Sequence, residues 1–572
     1  MPKKTVALAI AFVCLIAAPS MRAESPGSPK VPRLILQITV DQLRGDLPLR
    51  YQDRFTDGGF RYLLKHGTWY AAAFHPHAHT ETIVGHTTLA TGAYPSRHGM
   101  IANVWYDRKT GKLVHNIEGS EYPILSVTGE KQSGKGVSPK AILSTTFSDE
   151  LTLLTAGRAR VYAISAKDRG AVPLAGHSGK AFWLSNDNGC FVSSTFYYTA
   201  YPDWVKSWCQ GQPAKRFENS TWNLLRDPST YLYRDWTNQY PEHSRPAGNM
   251  KTMRDTFGFG STFPHTIKAG RFFSGALSTS PGMDELTLEF AKKLLREEHL
   301  GEDAAPDYLA ISFSATDLIG HWFSPASLES EDNLLRLDAV LADLFSFVDK
   351  KVGLENTLII LAGDHGGPEY PEYLHQHNIE SGWVTSKEIM TAATAALSKR
   401  FGSVEGLISR FSAPYVYVDR KVVASHHLDV AEVERVIAHG IAALPGIAVA
   451  MPSADLATSS EGDSELVAEI RRNFNPDRSG DVYIVQEPLW QIEEKEDGGG
   501  SFPLVQHGSP WPYDTFVPVA FAGAGVPANM VFRRIYTVDV AATLSAFVRA
   551  KYPSASVGVP LTEVLGGSSG PH

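Results

Sequence analysis

Short, nearly uninterrupted runs of β-branched and apolar residues recur along the chain, and each ends near a polar residue. Runs of this kind are typical of strands that are buried on both faces, and such strands belong to largely parallel sheets. The runs that predict strands are residues 34–40, 161–164, 308–313, 357–363 and 517–522. We therefore expect one sheet whose central strands run parallel.

Helical periodicity lies between these predicted strands. Leu286, Phe290 and Leu294 are spaced at i, i+4 and i+8 after a Ser-Pro start, and leucines recur at helical spacing over residues 334–348. Strands that alternate with helices favour an α/β fold. The pattern predicts a three-layer sandwich with a mostly parallel central sheet.

Three acids follow the ends of predicted strands. Asp41, Asp317 and Asp364 lie at or just after such ends, although they are far apart in sequence. Ligands in open α/β sheets bind beyond the carboxyl ends of the strands. We therefore expect these three carboxylates to converge on one site.

Two segments interrupt the strand–helix rhythm. Residues 171–280 are rich in Trp, Tyr, Gly, Pro and Asn, and we interpret them as an irregular cap insertion that roofs the site. Residues 410–500 form a second irregular insertion that ends in three glycines. The prediction is one α/β domain over residues 24–572 that carries both insertions.

The ends and the charge of the chain bear on its location and partners. Lys3 and Lys4 precede an apolar run over residues 6–18, which predicts a signal peptide over residues 1–23 and a periplasmic or secreted protein without a transmembrane span after its removal. An uncleaved membrane anchor is the alternative. The net charge of −8 argues against binding to nucleic-acid duplexes. The same net charge is compatible with small phosphorylated substrates. The sequence leaves the oligomeric state open.

Few cysteines are available for metal binding or cross-linking. After removal of the signal peptide only Cys190 and Cys209 remain. In an exported protein the pair favours a disulfide bond over the alternative of two buried thiols. Two cysteines cannot form a thiolate-rich metal site, so any metal must depend on His and Asp.

Three short motifs carry such ligands. Asp317-x-x-x-His321 places two side chains on one face of a helical turn, which suits two ligands of one metal. Asp364-His365 ends a buried strand, and both side chains can face one site only if the strand gives way to a turn at the two glycines that follow. His507-Gly508 is the third. Each motif alone is weak evidence. With Asp41 they supply three aspartates and three histidines, enough for two zinc ions, with manganese or iron not excluded.

A threonine-rich stretch, residues 80–99, contains the candidate nucleophile Thr82. A threonine hydroxyl attacks at neutral pH only if its pKa is lowered, as metals lower the pKa of bound water toward about 7. In order along the chain, Thr82 is followed by Thr91-Gly92, Pro95, His98-Gly99 and Asn103. This pattern resembles the threonine-nucleophile branch of the alkaline phosphatase superfamily, which includes type I phosphodiesterases, nucleotide pyrophosphatases and certain bacterial alkaline phosphatases.

The resemblance implies a role for each matching residue. Thr82 would attack phosphorus and form a phosphothreonine, which water then hydrolyses with overall retention of configuration. The second metal site would stabilise the leaving oxygen and then activate water, and Asn103 would donate to a phosphate oxygen. The implied ligands of the zinc that also binds Thr82 are Asp41, Asp364 and His365, and those of the second zinc are Asp317, His321 and His507.

Lys167 and Arg169 decide between branches of the superfamily. A lone Lys-x-Arg segment is usually a solvated turn, but here it follows a predicted buried strand and resembles the paired cations of the monoesterase group. Two cations suit a monoester dianion, which has no second ester substituent. The sequence thus predicts a phosphate monoesterase. A phosphodiesterase or nucleotide pyrophosphatase, a non-catalytic phosphate-binding protein and a metal-independent acid phosphatase remain alternatives.

Other histidines and one further motif have no assigned role. Residues 95–97 are similar to part of a sulfatase motif, but Ala93 stands where the modifiable Cys or Ser belongs. The alternating His75, His77 and His79 are interpreted as a polar strand or loop, and residues 375–377 are left unassigned.

Overall fold

The computed structural model describes residues 31–127, 131–185, 189–234, 257–260, 262–457, 463–493 and 505–566. The predicted signal peptide, residues 1–23, lies outside this part of the chain. Within it, no helix has the length and apolar character needed to cross a membrane.

The strands are short, and most are three to eight residues long. In chain order they are β1 Leu34–Val40, β2 Thr68–Phe74, β3 Val104–Asp107, β4 Lys112–His115, β5 Glu118–Leu125, β6 Lys131–Val137, β7 Val161–Ser165, β8 Lys180–Leu184, β9 Phe191–Ser194, β10 Ser220–Trp222, β11 His265–Ile267, β12 Asp307–Phe313, β13 Thr357–Gly363, β14 Gly382–Thr385, β15 Ile408–Ser412, β16 Tyr415–Val418, β17 Ile447–Pro452, β18 Val482–Gln486, β19 Trp490–Glu493, β20 Phe516–Ala522, β21 Asn529–Val531 and β22 Ile535–Tyr536.

The helices range from single turns to the 24-residue α11. In chain order they are α1 Leu47–Arg50, α2 Phe60–His66, α3 Thr82–Thr91, α4 Pro95–His98, α5 Phe147–Leu154, α6 Asp168–Ala175, α7 Asp203–Gln210, α8 Phe273–Ser278, α9 Gly282–Glu297, α10 Ala315–Phe323, α11 Leu328–Lys351, α12 Pro371–Gln376, α13 Ser386–Phe401, α14 Arg420–Ser425, α15 Val430–Ala442, α16 Ser453–Leu456, α17 Glu465–Asn473, α18 Pro512–Thr515 and α19 Asp539–Val548.

One large sheet forms the centre of the molecule. Its strand order is β21-β2-β20-β13-β1-β12-β7-β8-β9-β5-β6, with β22 beside β2. The five strands from β13 to β8 are parallel, and antiparallel pairs flank them on both sides. Every residue of β1, β12 and β13 is buried, as expected for parallel strands covered on both faces. The predicted parallel centre is confirmed.

Helices contact the sheet in two separate groups. Helices α3, α5, α6 and α19 contact one another, and α6 packs on β7, β8 and β12. Helices α2, α9, α10 and α11 form the second group, in which α9 packs on β7 and β12 and α2 on β2 and β20. This arrangement matches the predicted α/β sandwich.

The boundaries predicted for the first insertion, residues 171–280, differ from the structure. Residues 171–194 belong to the main layers, because they contain the end of α6 and the sheet strands β8 and β9. Their aromatic residues are core residues: the rings of Phe182 and Phe191 lie 5.2 and 4.4 Å from the ring of Phe290 on α9. The first insertion therefore begins after β9, and we call it the roof. Its described part contains α7, β10, β11 and α8.

Buried acids at the start of α11 hold the roof in place. Asp332 accepts hydrogen bonds from the indole N–H of Trp222, the backbone N–H of Leu225 and the hydroxyl of Tyr231, at 2.7, 2.6 and 2.5 Å. Glu331 accepts from the backbone N–H of Leu232 at 2.9 Å. Charge-assisted hydrogen bonds of this kind are stronger than neutral ones, so α11 fixes the position of the roof.

The second predicted insertion, residues 410–500, is a small α/β unit rather than an irregular segment. It begins at β14, ends at β19, and contains the four-stranded antiparallel sheet β15-β16-β18-β17 with α13 and α15 packed together. The unit has an apolar core of its own, which includes Ile389, Val416, Ile437 and Ile484. Its strands are too short for their alternation to stand out in the sequence. The three glycines at 498–500 lie outside the described residues.

Cys190 and Cys209 are both buried, at 3% and 5% exposure. Their side chains are close enough to hydrogen-bond, which lowers the pKa of the Cys190 thiol. The predicted disulfide bond between them is absent from the structure.

Candidate active site

The register of the central strands brings two of the predicted aspartates together. Val40 of β1 lies opposite Phe313 of β12 and Gly363 of β13, so all three strands end at the same level. Asp41 and Asp364 follow directly and are fully buried. Asp364 Oδ1 accepts the backbone N–H of Gln42 at 3.1 Å, which ties the two strand ends to each other.

Asp317, His321 and His507 form one cluster of candidate metal ligands. Asp317 and His321 lie one turn apart on α10, with His321 Nε2 at 3.2 Å from Asp317 Oδ1. His507 Nε2 approaches the same oxygen to 3.5 Å. The helical spacing predicted the pair Asp317 and His321, and the family resemblance implied their grouping with His507.

Asp41, His365 and Asp317 form a second cluster. His365 Nε2 lies 3.4 Å from Asp41 Oδ1 and 3.5 Å from Asp364 Oδ2. Asp364, which the sequence predicted as a ligand with Asp41 and His365, therefore borders this cluster. Asp317 belongs to both clusters, whereas the sequence assigned it to one.

The histidine rings are oriented by backbone carbonyls. The Nδ1–H groups donate from His365 to Gly366 O, from His321 to Val505 O and from His507 to Thr80 O, at 2.9, 2.6 and 2.7 Å. We assign the tautomers from these contacts, which leave each Nε2 lone pair directed into the clusters. Hydrogen bonds of this type usually fix the ring of a metal-binding histidine.

The donor set fits divalent metal ions. Asp41 Oδ1 and His365 Nε2 are buried and have no hydrogen-bond partner in the described part of the chain. Buried polar atoms normally have a partner, and a shared cation is one way to satisfy an oxygen and a nitrogen that face each other. Imidazole and carboxylate donors without thiolates suit zinc, as well as manganese or iron.

Lys167 contributes positive charge to the clusters. Its ammonium lies 2.6 Å from Asp41 Oδ2 and 2.5 Å from Asp317 Oδ2, and the side chain is buried. Burial alone would lower the pKa of Lys167, but the carboxylates of Asp317 and Asp41 raise it above its ordinary value. The structure thus places this predicted phosphate-binding cation in contact with two predicted metal ligands.

Burial and mutual charge shift the pKa values of the cluster in opposite directions. Burial, followed by repulsion from Asp317, raises the pKa of Asp41. For His365, burial opposes the charged form, but attraction to Asp364 and Asp41 raises the pKa to about 10. Burial and the neighbouring His365 lower the pKa of His507 to about 4. The site therefore holds buried anions that favour bound positive charge.

Thr82 is the first residue of α3 and is buried. The N-terminus of a helix presents backbone N–H groups and a positive dipole end to an anion. At this end the backbone N–H of Ile83 donates to Asn103 Oδ1 at 3.3 Å. Thr82 thus lies at a helix end that favours phosphate.

His86 was missed by the sequence analysis, although it lies one turn after Thr82. Its Nδ1 lies 2.8 Å from the carbonyl oxygen of Thr82 and 3.0 Å from Asp364 Oδ2. Its Nε2 lies 2.8 Å from the hydroxyl of Ser312. One imidazole ring therefore links the turn that contains Thr82 to a predicted metal ligand.

Gly85 permits this close approach of α3 to the strand end. A Cβ atom at Gly85 would lie 1.9 Å from the carbonyl oxygen of Asp364, which no side chain tolerates. A glycine beside a histidine in a helix indicates tight packing. The residue that packs on Gly85 lies 279 positions away, however, so the sequence alone does not identify that residue.

Replacing His86 by alanine is expected to weaken metal binding by about 10- to 100-fold, the usual effect of losing a residue that orients a ligand. The reason is that Asp364 Oδ2 loses its 3.0 Å contact with the imidazole, so this oxygen is oriented less firmly. Metal content after dialysis against graded chelator concentrations measures the effect. Thr87→Ser serves as the control, because that hydroxyl only bonds Ile83 O within the helix. Equal metal retention in both variants would contradict the role of His86.

Gln42 was also missed. It has a left-handed backbone conformation with φ of 62°, and its side-chain amide donates to Asp317 Oδ1 at 3.0 Å. Together with its backbone N–H on Asp364, it connects the acids of two different elements. No sequence motif marks this position.

Asn103, Lys167 and Arg169, the predicted phosphate contacts, line one cavity of about 990 Å³. Asn103 Oδ1 accepts the backbone N–H of Ile83, so the side-chain NH₂ group points away from this contact and is available to a ligand. Arg169 Nε is buried and forms no hydrogen bond to any described residue. Amide and guanidinium donors at one cavity wall suit a phosphate group.

The remaining histidines lie outside the two clusters. The buried His75, His77 and His79 hydrogen-bond to Gly363 O, His79 O and Gly508 O. His375 and His377 contact the backbone carbonyls of Ser381 and Tyr373. In the structure each of these rings contacts a backbone carbonyl oxygen.

Comparison with known proteins identifies the family of the chain. The family described as type I phosphodiesterase / nucleotide pyrophosphatase matches residues 35–510. The chain is 30% identical over 563 residues to alkaline phosphatase PafA of Elizabethkingia meningoseptica, covering 96% of this chain and 98% of that protein. It is also 30% identical over 580 residues to alkaline phosphatase PhoV of Synechococcus elongatus, covering 98% and 99% of the two chains.

The fold is likewise shared with solved structures. The crystal structure of wild-type PafA superposes with a TM-score of 0.82 at 28% identity, covering 94% of this chain and 99% of that chain. A PafA variant with substitutions at a threonine, an asparagine, a lysine and an arginine superposes with a TM-score of 0.83. The chain therefore belongs to the type I phosphodiesterase / nucleotide pyrophosphatase family of the alkaline phosphatase superfamily, and it is an enzyme of the alkaline phosphatase type.

Proposed function

We propose that this enzyme hydrolyses phosphate monoesters in two steps through a phosphothreonine at Thr82, with two bound zinc ions. The observation that carries the proposal is the position of Thr82 at the start of α3, tied through His86 to the acid clusters. The relatives support monoester hydrolysis in general, since several of them are named alkaline phosphatases.

The two clusters supply the proposed metal ligands. We assign Asp317, His321 and His507 to one ion, and Asp41, Asp364 and His365, together with Thr82, to the other. Bound metal ions of this kind lower the pKa of an oxygen ligand and stabilise negative charge on attacking and leaving oxygens.

Thr82 and water take part in the two chemical steps. The Thr82 hydroxyl gives up its proton, Thr82 Oγ forms a bond to phosphorus while the bond to the ester oxygen breaks, and the departing oxygen takes up a proton to leave as the alcohol. Water then loses a proton and attacks phosphorus from the side that the alcohol left, the Thr82–phosphorus bond breaks to release phosphate, and Thr82 Oγ takes up a proton again. The two inversions give overall retention of configuration.

Asn103, Lys167 and Arg169 would hold the non-bridging phosphate oxygens, on which charge is spread in the transition state. The same residue types, in the same order, are changed in the PafA variant mentioned above. A monoester presents one more charged oxygen than a diester, so two cations favour the monoester. This is the part of the proposal that separates it from a phosphodiesterase or nucleotide pyrophosphatase on the same scaffold.

Arg169→Ala is expected to lower kcat/KM for an aryl phosphate by about 10²-fold, the usual effect of removing one donor to developing charge. Turnover of the matching bis-aryl diester should change little. Arg169 is the better test than Lys167, because Lys167 also contacts Asp41 and Asp317. Arg435→Ala is the control, since Arg435 forms only a surface ion pair with Asp455.

Steady-state kinetics on both esters measures this selectivity for each variant. A wild-type enzyme that prefers the diester would favour the phosphodiesterase alternative. Hydrolysis of neither ester by the metal-loaded protein would favour a non-catalytic phosphate-binding role. Full activity in the presence of a chelator would favour metal-independent chemistry.

We also propose that the protein is exported to the periplasm or secreted. The support is the pattern of two lysines, an apolar run and small residues within residues 1–23.

A further inference from the structure

The cavity that contains Asn103, Lys167 and Arg169 is much larger than a phosphate group. Its volume is about 990 Å³, within the size range of pockets that enclose drug-sized ligands. Beyond the phosphate contacts its walls come from α10, from the roof, from β8 and β9, and from the segment that precedes β5. The cavity therefore has room for the rest of the substrate.

Helix α10 places the cavity beside one of the two clusters. Asp317 and His321 lie on one face of this helix and belong to the cluster with His507. Leu318 and Trp322 each lie one residue later, on the adjacent face, and both line the cavity. In the proposed reaction this cluster stabilises the leaving oxygen, so the cavity adjoins the side from which the alcohol departs.

Aromatic side chains form much of the wall on that side. Phe257 is buried, and its ring covers Gly275, at which a Cβ atom would lie 2.4 Å from the ring. Phe272 is 43% exposed, and the guanidinium of Arg271 lies over its ring at 5.2 Å. Trp183 on β8 is a further aromatic residue that lines the cavity. Aromatic rings prefer to stack on one another or to meet edge to face, so several rings in one cavity wall suit an aromatic ligand.

We propose that this cavity is a leaving-group subsite for phosphate monoesters whose alcohol carries an aromatic ring. The inference rests on the proposed monoesterase function and adds the class of substrate to it. Phe272 and Phe257 contact the ring of the alcohol, while Asn103 and Arg169 hold the phosphate. Phe272 is the specificity-determining residue, because it is the most exposed of the aromatic residues that line the cavity.

The test compares benzyl phosphate with methyl phosphate. Both release a primary alcohol, so the ring is the main difference between them. The wild-type kcat/KM for benzyl phosphate should exceed that for methyl phosphate by about ten-fold or more, the size of a typical stacking contribution from one aromatic side chain. Phe272→Ala should remove most of this preference, because kcat/KM for benzyl phosphate should fall much more than kcat/KM for methyl phosphate, and Phe272→Trp should retain it.

Phe532→Ala is the matched control, because Phe532 is 76% exposed and is not part of the cavity wall. Equal kcat/KM values for the two esters in the wild type would overturn the inference, and so would an unchanged preference in Phe272→Ala. Failure of the proposed function gives a different result, since neither ester would then be hydrolysed.

Discussion

Replacing Thr82 by alanine is expected to lower kcat for phosphate monoesters by at least about 10⁴-fold, since loss of a covalent nucleophile removes most of the rate enhancement of an enzyme. The fold should be retained, because alanine is a good helix former at the first position of α3. Wild-type enzyme quenched during turnover should carry one phosphoryl group on a peptide that contains Thr82, detected by mass spectrometry, and the alanine variant should carry none.

Two matched variants separate chemistry from packing in this experiment. Thr82→Ser keeps a hydroxyl and should retain a measurable fraction of the activity. Thr87→Ser alters a neighbouring threonine whose hydroxyl only bonds Ile83 O, and it should behave like the wild type. Full activity of Thr82→Ala would remove the centre of the proposed mechanism, as would phosphorylation of that variant at another residue.

Replacing Asp317 by alanine should have a comparable effect on activity and a larger effect on metal content. Among the described residues, Asp317 is shared by both candidate metal groups, and its carboxylate also accepts from Gln42 and Lys167. One substitution therefore disturbs both proposed ions. We expect loss of both ions on dialysis and a drop in kcat/KM of at least about 10⁴-fold, consistent with metals that stabilise the attacking and the leaving oxygens together.

Metal analysis by mass spectrometry, paired with kinetics, checks this result. Wild-type enzyme treated with a chelator should regain activity when zinc is added, whereas Asp317→Ala should not. Asp343→Ala serves as the control, because Asp343 forms a surface ion pair with Lys292 on the neighbouring helix. Retention of two ions per chain by Asp317→Ala would show that neither ion depends on this carboxylate.

The parallel strands and two of the acids of the site could be predicted from one property of the sequence. Continuous apolar runs identify strands that are buried on both faces, and parallel strands end on one side of a sheet. Asp41 and Asp364 were found in this way. Asp317 and His321 were found because four residues make about one helical turn. The spacing along the sequence was sufficient to predict a pair of ligands where both residues lie on one helix.

The contacts that orient these ligands could not be predicted, because they join distant parts of the chain. His86 faces Asp364 across 278 positions, and Gln42 faces Asp317 across 275. Neither residue type is unusual in its sequence context. The contact of Lys167 with two acids is a further example, since its sequence position suggested only a role in binding phosphate.

The boundaries of the insertions were inaccurate for a different reason. An aromatic-rich segment can be an exposed roof or a buried layer, and composition does not distinguish them. Phe182 and Phe191 belong to the buried layer, as their packing against Phe290 shows. The small unit from β14 to β19 was missed because its strands are only four to six residues long.

The hydrogen bonds from the roof to Glu331 and Asp332 have a consequence for protein engineering. The roof supplies part of the wall of the proposed leaving-group subsite, while the strand ends and α3 carry the proposed reacting groups, so exchanging roofs between relatives is a route to new selectivity. A transplanted roof would need the first turn of α11 from the same donor. Otherwise two carboxylates, both fully buried here, would lose the hydrogen bonds that the roof donates to them, and the chimera would lose stability before its substrate range could be tested.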